Sequence, residues 1–130
     1  MLASTACKRD RAADERASSA SKTTTSSADV ATLAQAASER IADARCRRAV
    51  ACQEVGPARR HESFETCRGL YASEVLREVG PSACPRGLDE SQVSRCAAAI
   101  ERTGCLDPVG VLERLEDCRA SKICLSAAAP

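Results

Sequence analysis

Cysteine is the residue type whose number and spacing could support chemistry in this chain. The sequence of 130 residues contains nine cysteines, and all except Cys7 lie between Cys46 and Cys124. Structural zinc sites use ligand pairs separated by about two to four residues, and the successive cysteines from Cys46 onward are all farther apart. We therefore predict disulfides, with metal ligands or free thiols as the alternatives. Disulfides imply an oxidising compartment such as the periplasm or the cell exterior.

The composition explains why such a chain would need disulfides. It contains no tryptophan and has one phenylalanine, Phe64, and one tyrosine, Tyr71. Each large aromatic side chain buries about 150–250 Å² in a core, so this core is short of the side chains that stabilise most. The length predicts a single domain. A small domain with so thin a core needs covalent cross-links.

Catalytic and cofactor-binding patterns are missing from the sequence. His61 is the only histidine, and Glu65 stands where the second histidine of an H-E-x-x-H zinc motif would be. No nucleophile elbow and no phosphate-binding glycine loop occurs. We predict that the protein is not an enzyme, with no catalytic residue, no metal site and no cofactor, and that His61 is a surface residue at a helix start.

The charge pattern indicates a partner other than nucleic acid. The formal net charge is +1, whereas a nucleic-acid-binding domain usually presents a strongly basic face. We interpret Arg45, Arg47 and Arg48 as a solvated helix face, with an anion-binding patch as the alternative. Carboxylates and arginines interleave at helical spacing in the second and fourth predicted helices, which is typical of a solvated, ion-paired surface.

The elements that must position the cysteines are helices. Apolar residues recur at three- and four-residue spacing, and no segment alternates as a strand does. Asp29, Asp89 and Asp107 are predicted N-caps, and Gly56-Pro57 and Gly104 are predicted stops. The predicted fold is all-α, with four helices in two antiparallel hairpins over residues 29–125, and with a frayed tail at 126–130. The predicted helices span about 29–55, from a start between 57 and 62 to 79, 89–104 and 108–124.

The periodicity also predicts which side chains face the core. Cys46 and Val50 lie off the main apolar stripe of the first helix, so the second half of this helix is predicted to be buried on two sides. In the fourth helix, we expect the inward residues to be Leu112, Leu115, Cys118 and Ile123.

Hairpin geometry reduces the possible disulfide pairings, because residues equidistant from a turn lie opposite each other. Eight cysteines allow about 105 pairings. Cys46 and Cys67 are symmetric about Gly56-Pro57, and Cys96 and Cys118 about Asp107. Cys84 and Cys124 then close the far end of the second hairpin, and Cys52 and Cys105 join the two hairpins. The predicted bridges are Cys46–Cys67, Cys52–Cys105, Cys84–Cys124 and Cys96–Cys118.

Residues 1–28 form a different kind of segment. The sequence MLASTAC, which ends at Cys7, resembles the end of a bacterial lipoprotein signal, in which the cysteine becomes the lipidated first residue. A signal's charged and apolar regions are not seen, so we expect either a start upstream of Met1 or an accidental likeness. Lipidation of Cys7 would leave an even number of cysteines for disulfides; the alternative is a free or intermolecular thiol. By the same resemblance, Lys8 implies no retention at the inner membrane.

The segment after Cys7 is predicted to be a disordered tether. Residues 8–28 lack a large apolar side chain and are rich in serine, threonine and alanine, so they cannot offset the entropy of ordering. A flexible linker of this length would extend about 25 Å. That distance suits holding a domain just above a membrane surface.

The lipoprotein-like Cys7, the tether and the eight-cysteine helical domain together resemble a family of small cysteine-rich bacterial lipoproteins. Its members are uncharacterised and are often labelled natural-product-biosynthesis lipoproteins. The resemblance implies a lipid anchor in the cell envelope, on the periplasmic or outer-surface face, and no defined activity. We therefore expect a monomeric, membrane-tethered binding or structural module that recognises an envelope protein or polymer.

Plant-type lipid-transfer proteins provide the alternative. They are also secreted four-helix domains with eight cysteines, and they enclose an apolar tunnel. Their adjacent Cys-Cys and Cys-x-Cys motifs are absent here. The alternative function is a periplasmic or extracellular carrier of lipids or small molecules with an apolar cavity.

Overall fold

A computed structural model of the chain describes residues 27–126. These residues contain five helices and no strand. The all-α prediction is therefore confirmed. Cys7, the predicted tether before Ser27 and the end of the predicted tail lie outside the described residues. The helices are α1 (Ser27–Ala51), α2 (Phe64–Val79), α3 (Glu90–Arg102), α4 (Pro108–Asp117) and α5 (Ala120–Ile123).

Helix α1 lies at the centre of the fold, because it packs against both α2 and α3. The main core forms between these three helices, the 80–89 loop and α5, and it is rich in alanine and contains no aromatic side chain. Its buried members are Ala34, Ala37, Ile41, Ala44, Val75, Val79, Cys84, Leu88, Val93, Cys96, Ala97, Ile100 and Ile123.

A second, smaller cluster lies between α1 and α2. It contains Cys46, Ala49 and Cys67, with Phe64 and Tyr71 packed around them. Val50 is half exposed, so the prediction that it is buried is wrong. Cys46 and Ala49 turn toward α2, and Val50, the next residue on the helix, faces solvent.

Side-chain caps begin the later helices where the sequence indicates. The Asp89 carboxylate accepts a hydrogen bond from the Gln92 backbone at 3.2 Å, and the Asp107 carboxylate accepts one from Gly110 at 2.9 Å. Both aspartates are therefore N-caps, as predicted. The first helix instead begins before Asp29, at Ser27, and α2 begins later than predicted, with Ser63 as its cap.

The predicted position of His61 at the surface is wrong. His61 is 5% exposed, and its ring makes an edge contact with Tyr71 at 5.4 Å between ring centroids. Its backbone closes a loop, because its amide donates to the Glu54 carbonyl and its carbonyl accepts from Gly56. Helix α1 therefore ends at Ala51 rather than near Val55, and the chain folds back before α2 begins.

The predicted fourth helix is divided in two. Cys118 ends α4, and Arg119 has extended backbone angles, so α5 starts in a new direction. This break allows Ile123 to enter the core, where it is buried as predicted. Backbone hydrogen bonds then hold the end of the chain on the 80–89 loop, from Asp89 to Ile123 at 2.8 Å and from Leu125 to Gly87 at 3.0 Å.

Four disulfides cross-link the helices, and they join the same pairs that hairpin symmetry predicts. The α-carbons lie 5.9 Å apart in Cys46–Cys67 and 5.5 Å apart in Cys52–Cys105. They lie 5.0 Å apart in Cys84–Cys124 and 4.6 Å apart in Cys96–Cys118. The domain thus combines a thin aliphatic core with four disulfides that link its helices and loops.

We predict that Ile100→Ala lowers the free energy of unfolding by about 2–5 kcal/mol, since Ile100 is completely buried in the main core. Leu112→Ala, the matched control on α4, should change it by less than about 0.5 kcal/mol, because Leu112 is exposed. Urea denaturation followed by circular dichroism measures both. Equal losses in the two variants would contradict the surface position of Leu112.

Candidate functional site

Helix α4 rests on α3, yet none of its residues is buried. Polar contacts hold its two ends. At the start, the Asp107 carboxylate caps the helix, and the Thr103 hydroxyl lies 3.3 Å from the Gly110 carbonyl oxygen. At the end, the Gln92 amide donates a hydrogen bond to the Asp117 carbonyl at 2.7 Å. The helix is thus fixed at its ends rather than by burial of its side chains.

Two disulfides flank the same helix. Cys105 precedes α4 and is bonded to Cys52, just after α1, whereas Cys118 ends α4 and is bonded to Cys96 of α3. Each bridge restricts the unfolded chain and so stabilises by about 2–4 kcal/mol. These bridges supply the attachment that an unburied helix would otherwise lack.

The apolar side chains of α4 and its preceding loop face solvent. We name this surface the α4 ridge, and it consists of Leu106 (98% exposed), Val109 (64%), Leu112 (68%) and Leu115 (60%). The prediction that Leu112 and Leu115 point inward is therefore wrong. Their spacing is that of a core-facing helix, but no element of the described chain covers them. Contiguous exposed apolar surface on a small protein marks an interaction site.

The polar residues of α4 are mainly acidic. Glu113, Glu116 and Asp117 are opposed on the helix by Arg114. The Glu116 carboxylate forms ion pairs with Arg119 and with Lys122, with a nitrogen-to-oxygen distance of 2.8 Å in each. These contacts lower the pKa of Glu116, chiefly through the hydrogen bond from Lys122. Arg119 and Lys122 thus neutralise Glu116, and over residues 108–123 three basic residues balance three acidic ones.

A cavity of about 320 Å³ opens beside the ridge, where α1, α2, α4 and the 52–63 loop meet. We name it the arginine cavity, because four of its lining residues are arginines. Its lining residues are Arg45, Arg48, Glu54, Arg60, Tyr71, Arg114, Leu115 and Cys118. Leu115 belongs to both the cavity and the α4 ridge, so the two surfaces are continuous.

The arginines from α1 and from the loop have partners in the walls of the cavity. Arg48 donates hydrogen bonds to the carbonyls of Thr103 and Gly104, both at 3.1 Å. The Arg45 guanidinium lies 5.3 Å from the centre of the Tyr71 ring, a cation–π distance, and 3.9 Å from a Glu74 carboxylate oxygen. Arg60 lies 3.8 Å from Glu54. The last two ion pairs are longer than hydrogen bonds.

Arg114 differs from the other three. Within residues 27–126 its guanidinium makes no hydrogen bond or ion pair with a carboxylate. Burial lowers its pKa, and the nearby positive charges of Arg48 and Arg45 lower it further. The fold therefore brings like charges together and leaves one of them without an anionic partner.

The sequence anticipated only part of this arrangement. Of the run interpreted as a solvated face, Arg47 does lie outside the cavity, 3.5 Å from Glu101. Arg45 and Arg48 turn inward to join Arg60 and Arg114, which are far away in sequence. No local pattern indicates that convergence, although the unusual density of arginine could have suggested a cluster.

Across residues 27–126, no group of three or more histidine, cysteine, aspartate or glutamate side chains is placed to hold a metal ion. None of the five described helices is both long enough and apolar enough to cross a membrane.

Comparison with known proteins gives one match. Residues 46–126 match the model of a family described as "Family of unknown function (DUF6184)". The matched region runs from the first bridged cysteine, within α1, to the end of the described chain, so it includes all four disulfides and the α4 ridge. Neither the search of curated proteins nor the search of solved structures found a match to this chain.

We predict that removal of the Cys96–Cys118 bridge selectively loosens α4. In Cys96→Ser/Cys118→Ser, amide hydrogen exchange in α4 should accelerate about ten to a hundred times more than exchange in α1 and α2, since no residue of α4 is fully buried. Mass spectrometry of exchange in each helix measures this.

The matched control is Cys84→Ser/Cys124→Ser, which removes a bridge that does not flank α4. This variant should lose stability without a selective effect on α4. The same pattern of exchange in both variants would show that the Cys96–Cys118 bridge has no special role in holding the helix.

Proposed function

We propose that this chain, which belongs to the family of unknown function DUF6184, is a non-catalytic binding module tethered at the cell envelope. The observation that carries the proposal is the α4 ridge. Three large apolar side chains of a short helix are exposed together with a fourth in the loop before it. Their exposure contributes nothing to folding, whereas a partner that covered them would gain the free energy of their burial.

The partner that best fits the ridge is a protein with an apolar groove. Val109 and Leu112, and likewise Leu112 and Leu115, are i, i+3 pairs, one of the spacings at which the anchor residues of a helix in a groove recur. The balanced charge of residues 108–123 argues against docking on an anionic lipid surface, since helices that lie on membranes carry an excess of lysine and arginine on their polar faces. An apolar groove in a protein would bury these side chains.

Cys7 supports the proposed tether. The structure pairs the other eight cysteines, which leaves Cys7 available for a different role. The small residues before it resemble a lipoprotein signal, and the segment after it has the composition of a flexible linker. A lipid on Cys7 would place the domain in the oxidising envelope that its disulfides require, as in a lipoprotein of the kind often linked to natural-product biosynthesis.

The carrier alternative has weaker support. A groove of about 340 Å³ between α1 and α3 is lined by Leu33, Leu88 and Val93, but also by Arg40 and Glu90, and it opens to solvent. A lipid carrier needs an apolar cavity that encloses most of its ligand. Saturable binding of a fluorescent fatty acid would favour the carrier over the binding module.

We predict that Cys7 determines where the full-length protein is found. Expressed with a lipoprotein signal in a bacterial host, it should partition into the detergent-rich phase of a Triton X-114 extract, because an acylated amino terminus binds membranes. Cys7→Ser should partition into the aqueous phase with its helical circular dichroism unchanged. Aqueous partitioning of the unsubstituted protein, without a lipid mass on Cys7, would contradict the anchor.

We predict that the α4 ridge is the docking surface. A photo-cross-linking amino acid at position 112, introduced in cells of the source organism, should yield one discrete protein adduct. The adduct should disappear when Val109→Glu is added, because a carboxylate cannot enter an apolar groove without a large desolvation cost. The matched control carries the cross-linker at Leu70, which is 50% exposed on α2, and should not yield this adduct.

Three outcomes would contradict a protein groove as the partner. The adduct could contain two copies of this chain, with dimers seen by analytical ultracentrifugation. The purified domain could float with anionic vesicles through the ridge, as judged by loss of flotation in Val109→Glu. Cross-linking at positions 70 and 112 could also give the same set of products.

A further inference from the structure

We propose that the arginine cavity is a binding site for a phosphate monoester or a similar multiply charged oxyanion. This site adjoins the α4 ridge and shares Leu115 with it, but its existence does not rest on the proposed protein partner. The cavity lies at the edge of the ridge, where Arg114 and Leu115 are neighbours on α4.

The charge of the lining favours an anion with more than one negative charge. Arg45, Arg48, Arg60 and Arg114 supply four positive charges, and Glu54 supplies the opposing negative charge among the lining residues. Glu74 lies outside the lining but 3.9 Å from Arg45, so four positive charges less two negative charges leave an excess of +2 at the site. Arginine stays protonated in proteins, so this excess persists at every physiological pH.

The donors that would bind the anion are free or weakly engaged. Arg114 has no carboxylate partner among the described residues, and the Arg45–Glu74 and Arg60–Glu54 pairs are 3.9 Å and 3.8 Å long. Guanidinium groups offer paired N–H donors whose spacing matches two oxygens of a phosphate. Arg48, fixed by two carbonyls, would contribute its charge from a constant position.

The guanidinium groups of the cavity repel one another when no anion lies between them. The guanidinium charges of Arg45 and Arg48 lie close enough to Arg114 to lower its pKa, in addition to the effect of burial. An oxyanion between these groups would replace repulsion with attraction. Folding has thus placed like charges where an anion would stabilise them.

The size and walls of the cavity restrict the ligand. A volume of about 320 Å³ is at the small end of ligand sites, which suits a phosphate group with a short substituent. Leu115 and Cys118 form an apolar part of the wall. The same chemistry could be provided by a soluble phosphomonoester or by the phosphate headgroup of an envelope lipid.

Two disulfides connect helices whose residues line this site. Arg45 and Arg48 come from α1, Tyr71 from α2 and Arg114 from α4. Cys46–Cys67 links the first two helices, and Cys118, itself part of the lining, links α4 to α3. The separation of these arginines along the sequence explains why the site cannot be read from any single segment.

The test is isothermal titration calorimetry of the oxidised full-length chain with inorganic phosphate in a low-salt chloride buffer. We expect one saturable site. Arg114→Gln and Arg45→Gln should each weaken binding about tenfold or more, since each removes a charged hydrogen-bond donor. Arg114→Lys, which keeps the charge and loses the paired donors, should give an intermediate loss.

Arg47→Gln is the matched control, because Arg47 is on the same helix but outside the cavity; its affinity for phosphate should remain within about twofold of the unsubstituted chain. Far-UV circular dichroism of each variant ensures that only folded proteins are compared. Absence of saturable phosphate binding would overturn the proposal. An equal weakening in Arg47→Gln and Arg114→Gln would do the same, since it would indicate nonspecific attraction.

Vesicles distinguish the two sources of the phosphate group. If vesicles containing phosphatidic acid compete with inorganic phosphate, and phosphatidylcholine vesicles do not, the headgroup is a ligand of the same site. If neither competes while phosphate binds, the ligand is a soluble phosphate compound. Leu112→Glu should leave phosphate affinity unchanged, so failure of the ridge proposal and failure of this one are separable.

Discussion

The disulfides on either side of α4 are the constraint on which the functional surface depends. A helix in which no residue is fully buried has little packing energy to hold its position, and its end contacts are a few hydrogen bonds. Cys52–Cys105 and Cys96–Cys118 fix both ends to elements of the core. Covalent attachment therefore leaves the apolar side chains of the helix free for a purpose other than folding.

Because α4 is held in place, two surfaces of different chemistry lie side by side on the domain. The α4 ridge offers exposed apolar area, and the arginine cavity beside it offers concentrated positive charge. Both use residues of α4 and both lose their geometry if the helix moves. A thin, alanine-rich core is consistent with this division of roles, because the bridges rather than the core hold the outer helix.

The sequence predicts those features that local rules determine. Asp89 and Asp107 cap helices where their positions before apolar runs indicate, and the disulfide pairs agree with the symmetry of two hairpins. Periodicity failed at Leu112 and Leu115, because it identifies an apolar face without showing what covers that face. The interpretation of His61 as a surface residue at a helix start failed because backbone hydrogen bonds to Glu54 and Gly56 close a loop there. The arginine cavity brings together residues 45, 48, 60 and 114, a convergence that only the tertiary fold creates.

Residual dipolar couplings of the α4 amides test the central claim most directly, measured before and after both flanking bridges are replaced by serine pairs. In the oxidised chain they should fit the alignment tensor of α1–α3. Without the two bridges, we predict that they fall toward zero, while α1–α3, which share the main core and of which α1 and α2 are still linked through Cys46–Cys67, keep their couplings. If α4 still fits the common tensor, packing and hydrogen bonds alone hold it, and the disulfides do not have the role assigned to them.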